Sequence, residues 1–325
     1  MVKSDLTFKG PIFVVGMPRS GTKLLRELLN RNSRIGIVEE ESNFLPWFIK
    51  RWGHKPLDAS EQKQFYTAIQ ATNLVWNQKQ HHQRDFPDFS IEPDQAQPLS
   101  DLVEKVFRCY GPKKEPFIWG DKTPGYLRHI ALLKSQFPSA RFVHIIRDPR
   151  DLCLSVNNAW KKSRRHAVQR WFDNVKSARQ EGASLGSDYM EIRYEDLLCN
   201  PKEKLSEICA FLGVPFEEEM LYLIKPSEDL GETKGKLEIV QKNFGKFKQR
   251  LTPKKIAQLE AIAYPALKDL GYELHGATTH RPLNLFQRAA FWCYDKVVSA
   301  RFHIRDKGLV SGLRYAIRLQ KHSPW

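Results

Sequence analysis

Three short stretches of this chain carry residues suited to handling anions. Residues 16–25, GMPRSGTKLL, bring together two glycines, hydroxyls, an arginine and a lysine directly after an apolar run. Gly16 and Gly21 let the backbone turn sharply and approach an anion closely. Backbone N–H groups aimed at one spot, joined by Ser20, Thr22, Arg19 and Lys23, would hold a phosphate or sulfate group. A second stretch, FVHIIRDPRDLCLSV, sets Arg147 at the end of an apolar run and Ser155 eight residues later. A guanidinium fork and a hydroxyl suit a dianion. A third, VEEESNF, sets Glu39, Glu40 and Glu41 in a row, and WGDKTP adds Lys122. A carboxylate there could take a proton from a nucleophile while cations balance charge on a group in transit.

The loop order excludes one common reading. A magnesium-dependent triphosphate loop runs G-x-x-x-x-G-K-[ST], whereas Gly21 is followed by Thr22 and only then by Lys23. The run at 141–147 ends in Arg147, with Asp148 in the turn, so no acidic metal ligand ends that strand. An ATP-magnesium kinase is therefore the weaker alternative, and no metal is expected. An ordinary glycine turn before a core helix leaves RSGT unexplained. Helix capping by Asp148 or Asp151 would account for the aspartates but not for Arg147. Arg150 is left as structural.

These residues need a scaffold, and the hydrophobic pattern supplies one. PIFVVG (11–16) reads as a buried parallel strand, and Leu24, Leu25, Leu28 and Leu29 follow at helical spacing. RIGIV precedes the glutamates. RFVHIIR (141–147) follows a helix at about 125–136 and leads into another at 151–160. YMEIRYEDL (189–197) reads as a strand before the helix PKEKLSEICAFLGV. Alternating strands and helices predict an α/β fold, a P-loop-type parallel sheet flanked by helices. Residues 50–115 read as an insertion of two helices and long loops over the sheet's carboxyl edge, within a domain spanning 1–275. Residues 276–325 read as a basic, amphipathic helical extension, with nine Lys/Arg against two Asp/Glu.

The net charge of +15 predicts anionic partners of some kind. Nucleic acid is one, but no reading motif occurs, and the basic residues cluster where a nucleotide would need them. The five cysteines have no paired short spacing, which predicts reduced, mostly buried thiols. The polar N-terminus and the lack of a membrane-length apolar run predict a cytoplasmic protein. The tail could dock peripherally on an anionic membrane, or pack on the domain or on a second subunit as a homodimer.

The loop PRSGTKLL and the segment FVHIIRDPRDLCLSV together resemble the PAPS-dependent sulfotransferase superfamily, in the branch with bacterial and tyrosylprotein sulfotransferases. (PAPS is 3′-phosphoadenosine 5′-phosphosulfate, the sulfuryl donor.) The resemblance covers roughly residues 11–275. It implies that 19–23, Arg19 to Lys23, hold the donor's 5′-phosphosulfate, and that Arg147 and Ser155 bind its 3′-phosphate. It implies further donor contacts at Tyr194, Lys242, Lys246 and Ser227. In the tyrosylprotein branch the catalytic glutamate falls at the spacing of Glu40, with Glu39 next. Arg19 and Lys122 match residues beside the transferring group. Some relatives carry an arginine where this chain has Ala159, a contact that Lys161 or Lys162 could replace or that this chain lacks. His54, His81 and His82 match no motif and read as exposed residues or acceptor contacts.

Overall fold

The computed structural model describes residues 7–112, 117–227 and 233–308, and the first apolar run lies at its centre. That run forms strand β1 (Ile12–Val15), whose four residues are all fully buried. Side chains alternate across a strand, so Phe13 and Val15 join one apolar cluster while Ile12 and Val14 join another on the opposite face. Burial on both faces explains why the run is continuously apolar.

Four more strands complete an all-parallel sheet: β2 (Ile35–Ile37), β3 (Ile118–Asp121), β4 (Arg141–Ile146) and β5 (Tyr189–Arg193), in the order β2-β3-β1-β4-β5. The helices in chain order begin with α1 (Thr22–Leu29), α2 (Leu45–Trp52), α3 (Ala59–Gln70) and α4 (Asn73–His82). Next come α5 (Leu99–Tyr110), α6 (Ile130–Gln136), α7 (Pro149–Trp160) and α8 (Arg164–Ala183). The last are α9 (Tyr194–Cys199), α10 (Pro201–Leu212), α11 (Phe247–Arg250), α12 (Pro253–Asp269) and α13 (Leu285–Lys307). Helices α1, α9 and α10 cover one face through Leu25, Leu197 and Leu205. The other face carries α2 to α8 and α12, with Phe48, Phe107 and Trp171 deep in its cluster. Because β1 has β3 on one side and β4 on the other, the loops after these three strands meet at one carboxyl edge.

Several details differ from the sequence expectation. The strand at 189–197 ends at Arg193, because Tyr194, Leu197 and Leu198 are buried at helical rather than alternating spacing. The helix expected at 125–136 is divided into a 3₁₀ segment, Pro124–Arg128, and α6. The 50–115 insertion holds three complete helices, not two. Its third, α5, buries Leu99, Leu102, Val103, Val106, Phe107 and Tyr110 in the same core as the sheet. Three of the five cysteines, Cys109, Cys199 and Cys293, are exposed, so the thiols are not mostly buried.

The tail begins with one long helix, α13, that packs on α7 and α8, and residues 309–325 lie outside the described ones. Arg288 pairs with Asp173 of α8 at 2.8 Å, and Phe291 packs partly against the core. The outer face leaves Leu285, Phe286, Trp292, Tyr294 and Val297 exposed. Among the described residues no helix is long and apolar enough to cross a membrane.

Candidate active site

The loop between β1 and α1 leaves the sheet at its carboxyl edge. Gly21 has φ +93°, and a Cβ there would lie 2.4 Å from the Tyr194 ring, so both the turn and the ring require glycine. Arg19 also takes a positive φ, 75°, which is uncommon for a side-chain-bearing residue. The Ser20 N–H donates to the Met17 carbonyl at 3.0 Å. Its hydroxyl is fully buried and has no hydrogen-bond partner.

Beyond β4, Arg147 is 6% exposed and is held from three sides. Its Nη1 donates to the Arg19 carbonyl at 2.9 Å, and its Nη2 to the Asn243 carbonyl at 3.0 Å. The guanidinium carbon lies 4.4 Å from the Tyr194 ring centre. Its Nε, also buried, has no partner. Arg19 Nε donates to Ser155 Oγ at 3.1 Å, joining the loop to α7. Arg19, Gly21, Arg147, Ser155 and Tyr194 line one narrow cleft, closed by Ser227 and Lys246. Ser20 Oγ and Arg147 Nε are two buried polar atoms of this region without a hydrogen-bond partner among the described residues, where buried polar groups are almost always satisfied. Thr22 is buried at the start of α1, whose first N–H groups have no partner within the helix and favour negative charge.

The cleft's far wall was only partly legible. Asp151 accepts from the N–H groups of Gly245 and of Phe247 (2.9 Å), tying residues 243–247 to α7. Asn243 turns inward, donating to Tyr194 Oη at 2.7 Å and accepting from Lys246 Nζ at 2.6 Å. That inward turn leaves Lys242 exposed and outside the cleft lining, so the structure does not bring it to the other donor candidates. Of the aspartates, Asp148 caps α7, accepting from the Arg150 N–H at 2.8 Å. Arg150 is structural: its guanidinium spans Asp148 (2.7 Å) and Glu260 (2.5 Å) in the interior.

A larger cavity of about 790 Å³ opens beside the loop. Lys23 lines it, whereas Arg19 turns toward Ser155 in the cleft. The three glutamates enter it and take different partners. Glu39 pairs with Lys225 at 2.5 Å. Burial raises its carboxyl, but Lys225 and Arg26 outweigh this and hold it below the usual range. Glu41 pairs with Lys122 at 2.6 Å, and that lysine likewise outweighs burial and pulls the carboxyl down. Glu40 instead accepts from Asn77 Nδ2 at 2.9 Å, with His81 and His82 at 3.3 and 3.4 Å. Asn73, Asn77 and His81 recur every four residues on α4, a helical signal that could have marked them as one face. Among the other residues, Lys162 faces this cavity and not the cleft, and Lys161 caps α7, so neither replaces the contact absent at Ala159. His54 lies outside both linings.

Lys122 follows β3 directly and is 1% exposed. A buried network fixes its register against the glutamate turn. Asp121 accepts from Ser42 Oγ and from Thr123 Oγ1 (2.7 Å), while Tyr126 Oη accepts from the Leu45 N–H at 3.0 Å and lies 2.5 Å from Ser42 Oγ. Burial pushes the Asp121 carboxyl up to about 7, against the pull of the two hydroxyls and Lys122. The folded value exceeds the ordinary one near ~3.9, so the folded state binds the extra proton between them. The stability this group contributes is present below about pH 4 and is lost as pH rises toward 7. Asp121→Asn is expected to flatten that descending slope in urea unfolding followed from pH 4 to 7. An unchanged slope would contradict it.

No group of three or more side chains able to hold a metal ion occurs among the described residues. The cations lining both compartments are lysines and arginines, which include Arg170 on the cavity and Lys236 and Arg250 on the cleft besides those already named.

Comparison with known proteins identifies the family. A model described as "Sulfotransferase family" matches residues 11–218, which include the loop, the glutamates, Lys122, Arg147, Ser155 and Tyr194. Ser227, Lys242, Lys246 and α13 lie beyond the match. Carbohydrate sulfotransferase 3 of Homo sapiens is 29% identical over 184 residues, covering 47% of this chain and 38% of that protein. Protein-tyrosine sulfotransferase A of Caenorhabditis elegans is 20% identical over 278 residues, covering 81% and 67%. The chain thus aligns with well under half of the human relative's length. Among solved structures, the sulfotransferase domain of the Synechococcus PCC 7002 olefin synthase shares the fold. It superposes with a TM-score of 0.52 at 21% identity, covering 84% of this chain and 98% of that one.

Proposed function

We propose that this chain, which belongs to the sulfotransferase family, moves the sulfuryl group of PAPS to a hydroxyl or amine acceptor by in-line transfer. The observation that carries the proposal is the pair of buried, unsatisfied donors, Ser20 Oγ in the first loop and Arg147 Nε after β4. They fit a ligand with oxyanions at two separated points, as PAPS has in its 5′-phosphosulfate and 3′-phosphate. Residues 19–23 suit the first, and Arg147 with Ser155 the second; Tyr194, Ser227 and Lys246 flank the nucleotide between them. Arg19, bonded to Ser155, suits the donor phosphates more than the transferring group.

The 790 Å³ cavity then receives the acceptor, with Glu40 as the base and Lys122 beside the group in transit. Glu39 and Glu41 each carry a lysine that weakens them as bases. Glu40 accepts from Asn77 and His81 of α4, with the His82 ring beside it, and these hold its carboxylate at the cavity wall. The lysines and arginines supply the positive charge that the departing phosphate needs. Cysteines outside any disulfide among the described residues suit a cytoplasmic setting. The exposed apolar face of α13, with Arg301 and Arg305 also exposed, suits an anionic membrane surface, or a second copy of the chain.

Calorimetry with 3′-phosphoadenosine 5′-phosphate (PAP), ATP-magnesium and duplex DNA tests the reading. Tight binding of PAP alone is expected. Preference for ATP-magnesium would favour a kinase, and preference for DNA a nucleic-acid-binding protein. A labelled-donor screen of cell extracts would then identify the acceptor.

A further inference from the structure

A recess of about 270 Å³ adjoins the 790 Å³ cavity between the α7–α8 turn, α8, α13 and the 3₁₀ segment at Pro124–Arg128. It shares Lys162, Arg170, Asp295 and Ser299 with that cavity, so the two spaces are continuous in lining. Four of its lining side chains are cationic: Arg128, Lys162, Arg170 and Lys296. Its one carboxylate, Asp295, is already committed. Oδ1 accepts from the Ser163 N–H and Oδ2 from His166 Nδ1, both at 2.7 Å. That pair of bonds fastens α13 to the start of α8, and Asp295 remains the single negative charge facing four cations.

The cations also press on one another. Burial holds Lys162 below its usual value, and the charge of Arg170 lowers it further. Arg170 is lowered by burial too, with Asp295 opposing and Arg128 adding to the fall. Like charges gathered in a partly desolvated recess are relieved by an oxyanion, and guanidinium and ammonium groups are its natural donors. Nothing in the donor chemistry uses these residues, because the donor cleft lies on the other side of α7, along Ser155.

We propose that this recess is an anion subsite for the acceptor, taking a carboxylate, phosphate or sulfate group carried on the same molecule as the reacting hydroxyl or amine. The inference rests on the reading of the 790 Å³ cavity as the acceptor site. Its lining spans both groups: Glu40 and Lys122 on the walls made by the glutamate turn and β3, Lys162 and Arg170 on the walls made by the α7–α8 turn and α8. An acceptor anchored by its anion in the recess would present its other end to Glu40. The recess lies partly in α13, beyond the residues that the family model matches.

The test uses the full chain saturated with PAP, so that the donor's phosphate positions are filled. Inorganic phosphate is titrated calorimetrically into the wild type, Lys162→Met and Lys296→Met. Saturable binding is expected in the wild type and at least about tenfold weaker binding in Lys162→Met, with PAP affinity unchanged as the sign of an intact fold. In the same PAP complexes, 4-hydroxyphenylacetate is expected to bind about tenfold more tightly than 4-methylphenol and to compete with phosphate. Lys162→Met should abolish that preference. Absence of saturable phosphate binding, or equal binding by Lys162→Met, would overturn the subsite. Phosphate binding without any preference for the carboxylate would overturn its link to the acceptor, leaving a site for a free anion. Failure of PAP itself to bind would count against the sulfotransferase reading instead, and the phosphate titration of wild type against Lys162→Met would still report on the recess.

Discussion

Arg147→Ala is expected to weaken PAP binding about a hundredfold. A hydrogen bond from a charged donor contributes roughly 1.5–3 kcal/mol, and a fork that loses two of them gives up about 3 kcal/mol. At about 1.4 kcal/mol per tenfold, that is two orders of magnitude. The residue also has a structural share, since Nη1 and Nη2 hold the carbonyls of Arg19 and Asn243. A second ligand separates the two shares. Adenosine 5′-phosphosulfate lacks the 3′-phosphate, so it should bind wild type and variant alike if the loss is local. If both ligands weaken equally, the loop has collapsed and the assignment of Arg147 to the 3′-phosphate is not supported. Arg147→Lys keeps the charge without the fork and should fall between, about tenfold weaker than wild type. Calorimetry that places Arg147→Ala within about threefold of wild type would remove Arg147 from the donor site.

The donor half of the site was more legible than the acceptor half, for a physical reason. Strands buried on both faces are written as unbroken apolar runs, so β1 and β4 announce where they end, and the residues just past those ends must lie at the sheet's edge. Arg147 and the loop glycines could therefore be located by position alone. Lys242 could not. It lies in a basic run without periodicity, and a slip of one residue separates an exposed lysine from Asn243, which is 8% exposed and bonded to Tyr194. The glutamate turn has the same difficulty. Nothing local distinguishes Glu39, Glu40 and Glu41; their partners Lys225, Asn77 and Lys122 come from three distant parts of the chain.

Two acceptor-side features carried signals that were passed over. The stripe Leu99, Leu102, Val103, Val106, Phe107 and Tyr110 repeats at helical spacing and marks a third helix in the 50–115 segment. That helix packs in the main core, which makes the segment part of the domain's interior rather than a cover laid on it. Asp295 is one of only two acidic residues after position 275, and an isolated carboxylate in a basic helix is a candidate for a buried contact. It is 8% exposed, and its bonds to Ser163 and His166 bring Ser299 and Phe302 to the cavity wall. The extension thus lines the 790 Å³ cavity, a placement that its composition alone does not convey.

Glu40→Gln is expected to lower kcat by about 10²–10⁴-fold with PAP affinity unchanged, the range for loss of a general base. The substitution keeps the shape and still accepts from Asn77, so a folding defect is not the expected cause of the loss. The comparison with its neighbours is what makes the experiment decisive. Glu41→Gln frees Lys122 from a 2.6 Å ion pair inside the cavity and should act on the charge of the transferring group, not on proton removal. Its pH profile should therefore keep the acid limb of kcat/KM, the limb that reports a base losing its proton, whereas Glu40→Gln should lose it. Lys122→Met should reduce kcat while retaining that limb as well. Near-normal turnover by folded Glu40→Gln would sink the assignment. Loss of the acid limb in Glu41→Gln instead would move the base one residue along, to the carboxylate already in contact with Lys122.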